Sequence, residues 1–263
     1  MDLKLAGKRA LVTGSTQGIG YAIAKGLANE GAIVILNGRK QDKLDEAVAK
    51  LNAEAKGEAI GIAADVGTAE GAEKLAGQAG KVDILVNNAG IFEPKPVLEI
   101  ADEDWQRFFD VNVMSGVRLT RALLPHMLEQ GWGRVIFISS ESGVHIPPEM
   151  VHYGMTKAAN LALARGFAES FPGSGVTVNS VLPGPTRSEG VEGFLEKMSG
   201  DSGDDMETVE RDFIKENRPT SLISRFASTE EVANMVVYLC SEGASATNGA
   251  PIRVDGGVVR SMV

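Results

Sequence analysis

The sequence predicts an α/β fold in which a doubly wound parallel sheet carries helices on both faces, as a single domain over residues 1–263. Three observations lead there. Short apolar runs recur with amphipathic or alanine-rich stretches between most of them, which is the rhythm of repeated βαβ units. The runs are apolar throughout instead of alternating, as strands covered on both faces must be. The first run leads into the glycine-rich turn TGSTQGIG, and a strand, a glycine turn and a helix in that order suit a diphosphate.

The expected strands, in chain order, are RALVTG, AIVILNG, AIGIAAD, VDILVNNAG, GRVIFISS, VTVNSVLPG and APIRVDGG. Right-handed crossovers between parallel strands then set the topology. In such a sheet a ligand lies at the carboxyl ends of the strands. The informative motifs gather at those ends: Gly14 to Gly20, Asn88 to Gly90, Ser140, and Pro183 to Ser188.

Composition narrows the function. At 263 residues and 43% hydrophobic the chain is long enough to bury a large core. A net charge of −9 argues against nucleic-acid or anionic-membrane surfaces, which need clustered Lys and Arg. No apolar signal segment and no run of 18 uncharged apolar residues is seen, so a cytoplasmic enzyme is expected. Cys240 is the single cysteine and reads as a buried helical thiol. His126, His145 and His152 show no ligand spacing, so no metal is expected.

The reactive stretch is SSESGVHIPPEMVHYGMTK. Thirteen positions separate Ser140 from Tyr153, and four more reach Lys157. A spacing of four puts phenol and ammonium on one helix face, where the cation favours the phenolate. Tyr21 and Lys25 repeat that spacing without an upstream serine, and helix packing explains them. Spacing alone therefore leaves Tyr153 open to a structural role.

The loop Gly14-Ser15-Thr16-Gln17-Gly18-Ile19-Gly20 has the spacing GxxxGxG, not the commoner GxGxxG, and a plain tight turn is its alternative. At the end of the second strand, Asn37-Gly38-Arg39-Lys40 offers no carboxylate before Asp42. An acidic residue there suits the ribose hydroxyls of NAD, whereas arginine suits a 2′-phosphate. NADP is the expected cofactor, with NAD possible and a solvated Arg39 the alternative.

Taken together, TGxxxGIG, AADV, NNAG, the asparagine of FFDVNV, Ser140 with Tyr153 and Lys157, the PG turn and the terminal VDGG resemble the short-chain dehydrogenase/reductase family. The match runs from about residue 6 to 257, in order, and is nearest to the branch of about 250 residues with 3-oxoacyl-carrier-protein reductases and alcohol or sugar dehydrogenases. The resemblance implies a Rossmann fold and hydride transfer between NADP(H) and a carbonyl or secondary alcohol. It implies that Tyr153 is the general acid or base and Ser140 hydrogen-bonds the substrate oxygen. Lys157 would lower the Tyr153 pKa and hold the nicotinamide ribose, and Asn112 would support a water that connects Lys157 to solvent.

By the same resemblance Gly14, Ser15, Gln17, Gly18 and Ile19 surround phosphates and ribose, and Asp65 and Val66 lie at the adenine. Asn88, Ala89 and Gly90 lie beside the adenosine ribose, and Pro183, Gly184, Thr186 and Ser188 approach the nicotinamide. Asp65 also suits a turn or helix cap, and Asn88 a brace between strands. Ser142 and the side chains Phe92, Pro94, His145, Met150 and Phe194 are candidate substrate contacts. A homotetramer or dimer is implied as well.

Two stretches depart from the family pattern. Only 22 positions separate Asp65 from Asn87, so the helix GTAEGAEKLAGQAG is short by about two turns. Residues 187–220 form an insertion-like segment with ten acidic and five basic residues, expected to be a substrate lid whose centre, SGDSGDD, is mobile. The rival functions are an NAD-dependent sugar or hydroxy-acid dehydrogenase and a non-catalytic nucleotide-sensing protein. A sugar-nucleotide epimerase is weakened by the roughly 75 residues that follow the PG turn.

Overall fold

The computed structural model describes residues 2–191, 193 and 205–262. Seven strands form one sheet: β1 (Arg9–Val12), β2 (Ile33–Gly38), β3 (Ala59–Ala63), β4 (Ile84–Asn87), β5 (Gly133–Ile138), β6 (Val176–Pro183) and β7 (Pro251–Val254). Their order is β3-β2-β1-β4-β5-β6-β7. Every pairing is parallel. The chain winds outward from β1 to β3, then returns to the other side of β1 with β4, where Leu11 stands beside Leu85. Strand order reverses at that point, and a crevice opens beyond the carboxyl ends. The expected Rossmann architecture is what the chain adopts.

The continuous apolar runs follow from the layering. Alternate residues of one strand face opposite sides. Val12, Leu36, Val86 and Ile138 enter one core with helices α1 (Gly18–Asn29) and α2 (Gln41–Glu54). Leu11, Ile35, Leu85 and Phe137 enter the other with α3 (Ala69–Ala79). Two further helices, α4 (Asp102–Phe109) and α5 (Ser115–Glu129), precede β5, and α6 (Val151–Ser170) follows it. The last two are α7 (Met206–Asn217) and α8 (Thr229–Leu239).

Local chemistry explains several boundaries. The short α3 starts on Thr68, which accepts a hydrogen bond from Gly71 N, and ends at Gly80, where φ is 66°. A capping box closes the start of α8: the Ser228 hydroxyl and the Glu231 carboxylate each accept from the other's backbone N–H. Between α4 and α5 the helix does not stop but widens to a π turn over Asp110–Met114, and this turn carries Asn112. Such turns occur mostly as single insertions at functional places.

Asn37 sets the geometry where the nucleotide-type loop meets the sheet. It is buried at the end of β2; its Nδ2 donates to the carbonyls of Ile62 (3.1 Å) and Ala64 (3.2 Å), and its Oδ1 faces Gly14 N at 3.5 Å. One side chain thus joins β2, β3 and the glycine loop. Asn37→Ala leaves buried carbonyls without partners and is expected to cost about 1–3 kcal/mol, measured as a lower urea midpoint at unchanged slope.

Candidate active site

The glycine loop is built for close approach by a ligand. Gly14 and Gly18 adopt φ of 61° and 58°, the left-handed region that other residues rarely enter. A Cβ on Gly20 would stand 2.4 Å from the Gly14 carbonyl and 2.5 Å from Asn88 Nδ2, so only glycine fits. The N-cap of α1 is Gln17, and no side chain caps that helix. Its first amides and partial positive charge are thus left available to an anion.

Two clefts meet over this loop. One runs past Gly14, Gln17, Arg39, Lys40, Lys43, Asp65 and Val66. The other is lined by Ile19, Ser140, Glu141, Tyr153, Lys157, Pro183, Gly184, Thr186 and Ser188, with Phe92, Met150, Phe213 and Arg218. Asn88 and Gly90 line both. The cleft residues fit a dinucleotide: a glycine cradle at the centre, exposed cations at one end and a serine, tyrosine and lysine at the other.

The placements differ in kind. Ser15 turns away from both clefts: fully buried, its hydroxyl donates to the Val12 carbonyl at 2.7 Å and accepts from Asn37 N at 3.0 Å. Asn88 donates through Nδ2 to the carbonyls of Thr13 (2.9 Å) and Gly14 (3.0 Å), which makes it the brace between β4 and the loop. Asp65 accepts from Gly67 N at 3.0 Å at the turn before α3, and its side chain also lines the cation-bearing cleft. Thr186 donates to the Gly184 carbonyl, which holds the PG turn.

Asn112 is buried on its π turn. Its Oδ1 accepts from Ile91 N at 2.8 Å, and its Nδ2 donates to Ile91 O at 2.9 Å and to Thr156 at 3.0 Å. The asparagine therefore fastens the loop after β4 to α6. Both Asn112 Oδ1 and Lys157 Nζ would lie 3.4 Å from a Cβ on Gly90, so that glycine keeps the approach to them open.

Ser140 lies two residues past the end of β5 and caps a short turn over Glu141–Gly143. Tyr153 and Lys157 stand one turn apart on α6, with the Lys157 Nζ 5.5 Å from the centre of the Tyr153 ring. The Ser140 hydroxyl faces Tyr153 and favours its ionised form. Lys157 Nζ donates to the Ile138 carbonyl at 2.9 Å. Both Ser139 and Ser140 line the cleft, but the Ser139 hydroxyl donates to the Lys157 carbonyl at 2.7 Å and so serves the backbone.

Burial sets the proton affinities. It raises the Tyr153 pKa strongly, Glu141 raises it further, and contacts with Ser140 and Arg218 oppose the rise without cancelling it. Burial lowers the Lys157 pKa to about 8. The phenol is thus held in its neutral form at neutral pH.

Among the remaining candidates, Phe92 and Met150 line the substrate-side cleft, whereas Pro94 and His145 do not. His152 is buried against Phe108 with ring centres 4.0 Å apart. Phe194 and residues 199–204 of the acidic centre lie outside the described residues. Sequence reasoning missed Asn37 and the buried pair Glu141 and Arg218. It also missed Lys40 and Lys43 beside Arg39, although their charge and position next to the second strand were visible signals. Among the described residues no group of three or more His, Cys, Asp or Glu is arranged to hold a metal, and no helix is long and apolar enough to cross a membrane.

A parallel sheet with a glycine cradle at its switch point, and a serine, tyrosine and lysine beyond it, is the architecture of a nicotinamide-nucleotide oxidoreductase. The short chain dehydrogenase family model matches residues 8–199, and the chain belongs to this family of NAD(P)-dependent enzymes. It is 49% identical over 266 residues to the uncharacterized oxidoreductase YvrD of Bacillus subtilis, with all of both chains covered. It is 35% identical to the 3-oxoacyl-[acyl-carrier-protein] reductase FabG of Aquifex aeolicus over 98% of this chain and 100% of that protein. The solved L-sorbose reductase of Gluconobacter frateurii, complexed with NADPH and L-sorbose, superposes with a TM-score of 0.94 at 36% identity, covering both chains completely.

Lys157 yields a pH test. If nucleotide binding favours its ammonium form, binding at pH 8.5 must raise a pKa that rests at about 8 and so take up protons. Calorimetry in two buffers of different ionisation enthalpy is expected to find that uptake in the wild type and none in Lys157→Met.

Proposed function

We propose that the protein is an NADP(H)-dependent carbonyl reductase that converts a small ketone to a secondary alcohol, with Tyr153 as proton donor. The observation that carries this reading is the convergence of Ser140, Tyr153 and Lys157 in one cleft beyond the glycine loop, with the phenol held protonated. A protonated donor is what reduction requires. The likeness to an L-sorbose reductase complexed with NADPH supports both the direction and a hydroxylated ketone as substrate.

A bound reduced nicotinamide nucleotide supplies the hydride. The chain's own residues supply position and proton. Gly14, Gly18 and the uncapped start of α1 hold the diphosphate; Gln17, Ile19, Val66 and Ala89 line its path, with Asn88 keeping the loop in place. Pro183, Gly184, Thr186 and Ser188 wall the nicotinamide end. Tyr153 gives its hydroxyl proton to the substrate oxygen while Ser140 steadies the charge developing there. Lys157 places a positive charge beside the phenolate left by that transfer and holds the nicotinamide ribose, and Asn112 keeps the Ile91 loop and α6 in register. Of the segment 187–220, Val191, Phe213 and Arg218 line the substrate side of the cleft and cover it there.

The preference for NADP rests on Arg39, Lys40 and Lys43, all exposed at the mouth of the cation-bearing cleft where an NAD site would hold a carboxylate. Among the described residues Arg39 has no ion-pair partner, so its guanidinium is available to a phosphate. Arg39→Ala is expected to raise KM for NADPH about tenfold or more, the loss of one charge-assisted contact, and to leave KM for NADH unchanged. An unchanged ratio between the two nucleotides would reject the assignment.

Tyr153→Phe removes the transferable proton and little else. Turnover is expected to fall by about a hundredfold or more while NADPH still binds, as followed by nucleotide fluorescence. Near-normal turnover in that variant would overturn the mechanism and leave a nucleotide-binding role without chemistry.

A further inference from the structure

The floor of the substrate-side cleft holds a buried ion pair that the proposed reaction does not yet use. Glu141 directly follows Ser140 and is 4% exposed; Arg218 lies at the C-terminal end of α7 and is 8% exposed. Arg218 Nε donates to Glu141 Oε1 at 2.9 Å. The other carboxylate oxygen, Oε2, accepts from the Ser140 hydroxyl at 2.5 Å and from Ser142 N at 2.9 Å. Arg218 Nη1 also donates to the Asn217 carbonyl at 2.8 Å and reaches Glu149 at 3.4 Å.

A buried ion pair is weak evidence for stability, because desolvation offsets most of the attraction. Its placement needs another reason. Ser140 has one hydroxyl hydrogen, and Glu141 and Tyr153 are both in reach of it. A carboxylate with no other partner could swing with its side chain. Glu141 is also bound by Arg218 and the Ser142 amide, so the carboxylate that accepts the Ser140 hydrogen is fixed, and the Ser140 oxygen with it.

We propose that Glu141 and Arg218 are positioning residues for the Ser140 hydroxyl, Arg218 holding Glu141 and Glu141 holding the serine, so that the seating of α7 and the alignment of Ser140 form one unit. This rests on the proposed roles of Ser140 and Tyr153. A second ion pair seats the same helix: Arg187, just after the PG turn, donates through Nε and Nη2 to the two oxygens of the buried Glu210 of α7, at 2.8 and 2.5 Å. Helix α7 is therefore held by one ion pair at its middle and another at its C-terminal end.

The charged groups that face Tyr153 are Lys157 on its own helix, Glu141 on the turn after β5 and Arg218 at the end of α7, with Glu149 acting through Arg218. Glu141 opposes ionisation of the phenol and Arg218 favours it. The two substitutions are therefore expected to move the Tyr153 ionisation in opposite directions, while the loss of Ser140 alignment is read from kcat.

The test uses the full-length enzyme with NADPH and the best ketone from a panel, and the reverse oxidation with NADP. Glu141→Gln is expected to lower kcat by roughly a hundredfold, the effect of a misplaced catalytic group, with NADPH affinity unchanged. The apparent ionisation governing oxidation should move to lower pH in Glu141→Gln and to higher pH in Arg218→Met. The double variant should lose no more than the worse single one. A kcat in Glu141→Gln within about twofold of wild type, shifts of the same sign, or losses that multiply would each overturn the proposal. Should Arg218→Met not fold, Glu141→Gln and the charge-neutral double variant decide the matter. If Tyr153→Phe keeps its turnover, the site reading itself fails; if it is inactive beside a fully active Glu141→Gln, only the positioning role does.

Discussion

Where the strand order reverses, one set of hydrogen bonds ties β1 to β4. The Thr13 hydroxyl accepts from Asn88 N at 3.0 Å and from Ala89 N at 2.9 Å, while Asn88 Nδ2 returns bonds to the carbonyls of Thr13 and Gly14. The glycine loop, the start of α1 and the NNAG turn hang from this tie. On one side Asn37 carries it to β2 and β3; on the other, Asn112 latches the following Ile91 loop to α6, and so to Tyr153 and Lys157. Three buried or half-buried asparagines thus set the distance between the cradle and the reactive groups. Buried amides leave little slack, because each missing partner costs about 1–3 kcal/mol.

Inside the cleft, desolvation and charge compete, and desolvation prevails. Lys157 gives up proton affinity to burial, and Tyr153 gains it for the same reason. The cation near the phenol does not make it a ready base in this state. The arrangement instead keeps the phenol in its neutral form. Around it Glu141 and Arg218 act in opposite directions, which makes the Tyr153 environment adjustable through residues that do not touch the transferred hydride.

Much of this was legible in the chain. Seven apolar runs became seven strands because a parallel sheet buried on both faces leaves no room for alternation, and the motifs at their ends met because that sheet has one switch point. Ser140, Tyr153 and Lys157 were readable from spacing only together with the other motifs in their order; Tyr21, with the same spacing to Lys25, is partly buried against the core with its hydroxyl unpartnered. The rest was hidden for physical reasons. A buried asparagine such as Asn37 looks like any turn residue until its three strand and loop partners are in place. Ser15 has the composition of a phosphate-loop residue, yet the β2 backbone claims its hydroxyl. The π turn at Asn112 has no sequence signature. Glu141 and Arg218 lie 77 positions apart, and only the docking of α7 brings them together.

Hydride passing from nucleotide to a ketone carbon in this cleft is the central step of the proposed reaction. The direct measurement is to incubate the enzyme with NADPH deuterated on the transferring face of the nicotinamide ring and a neutral hydroxylated ketone, then weigh the product. One deuterium on the carbinol carbon of the alcohol is the expected result, together with slower turnover than with unlabelled NADPH. Tight NADPH binding with no deuterium in any product across ketones, acyl thioesters and sugars would contradict it.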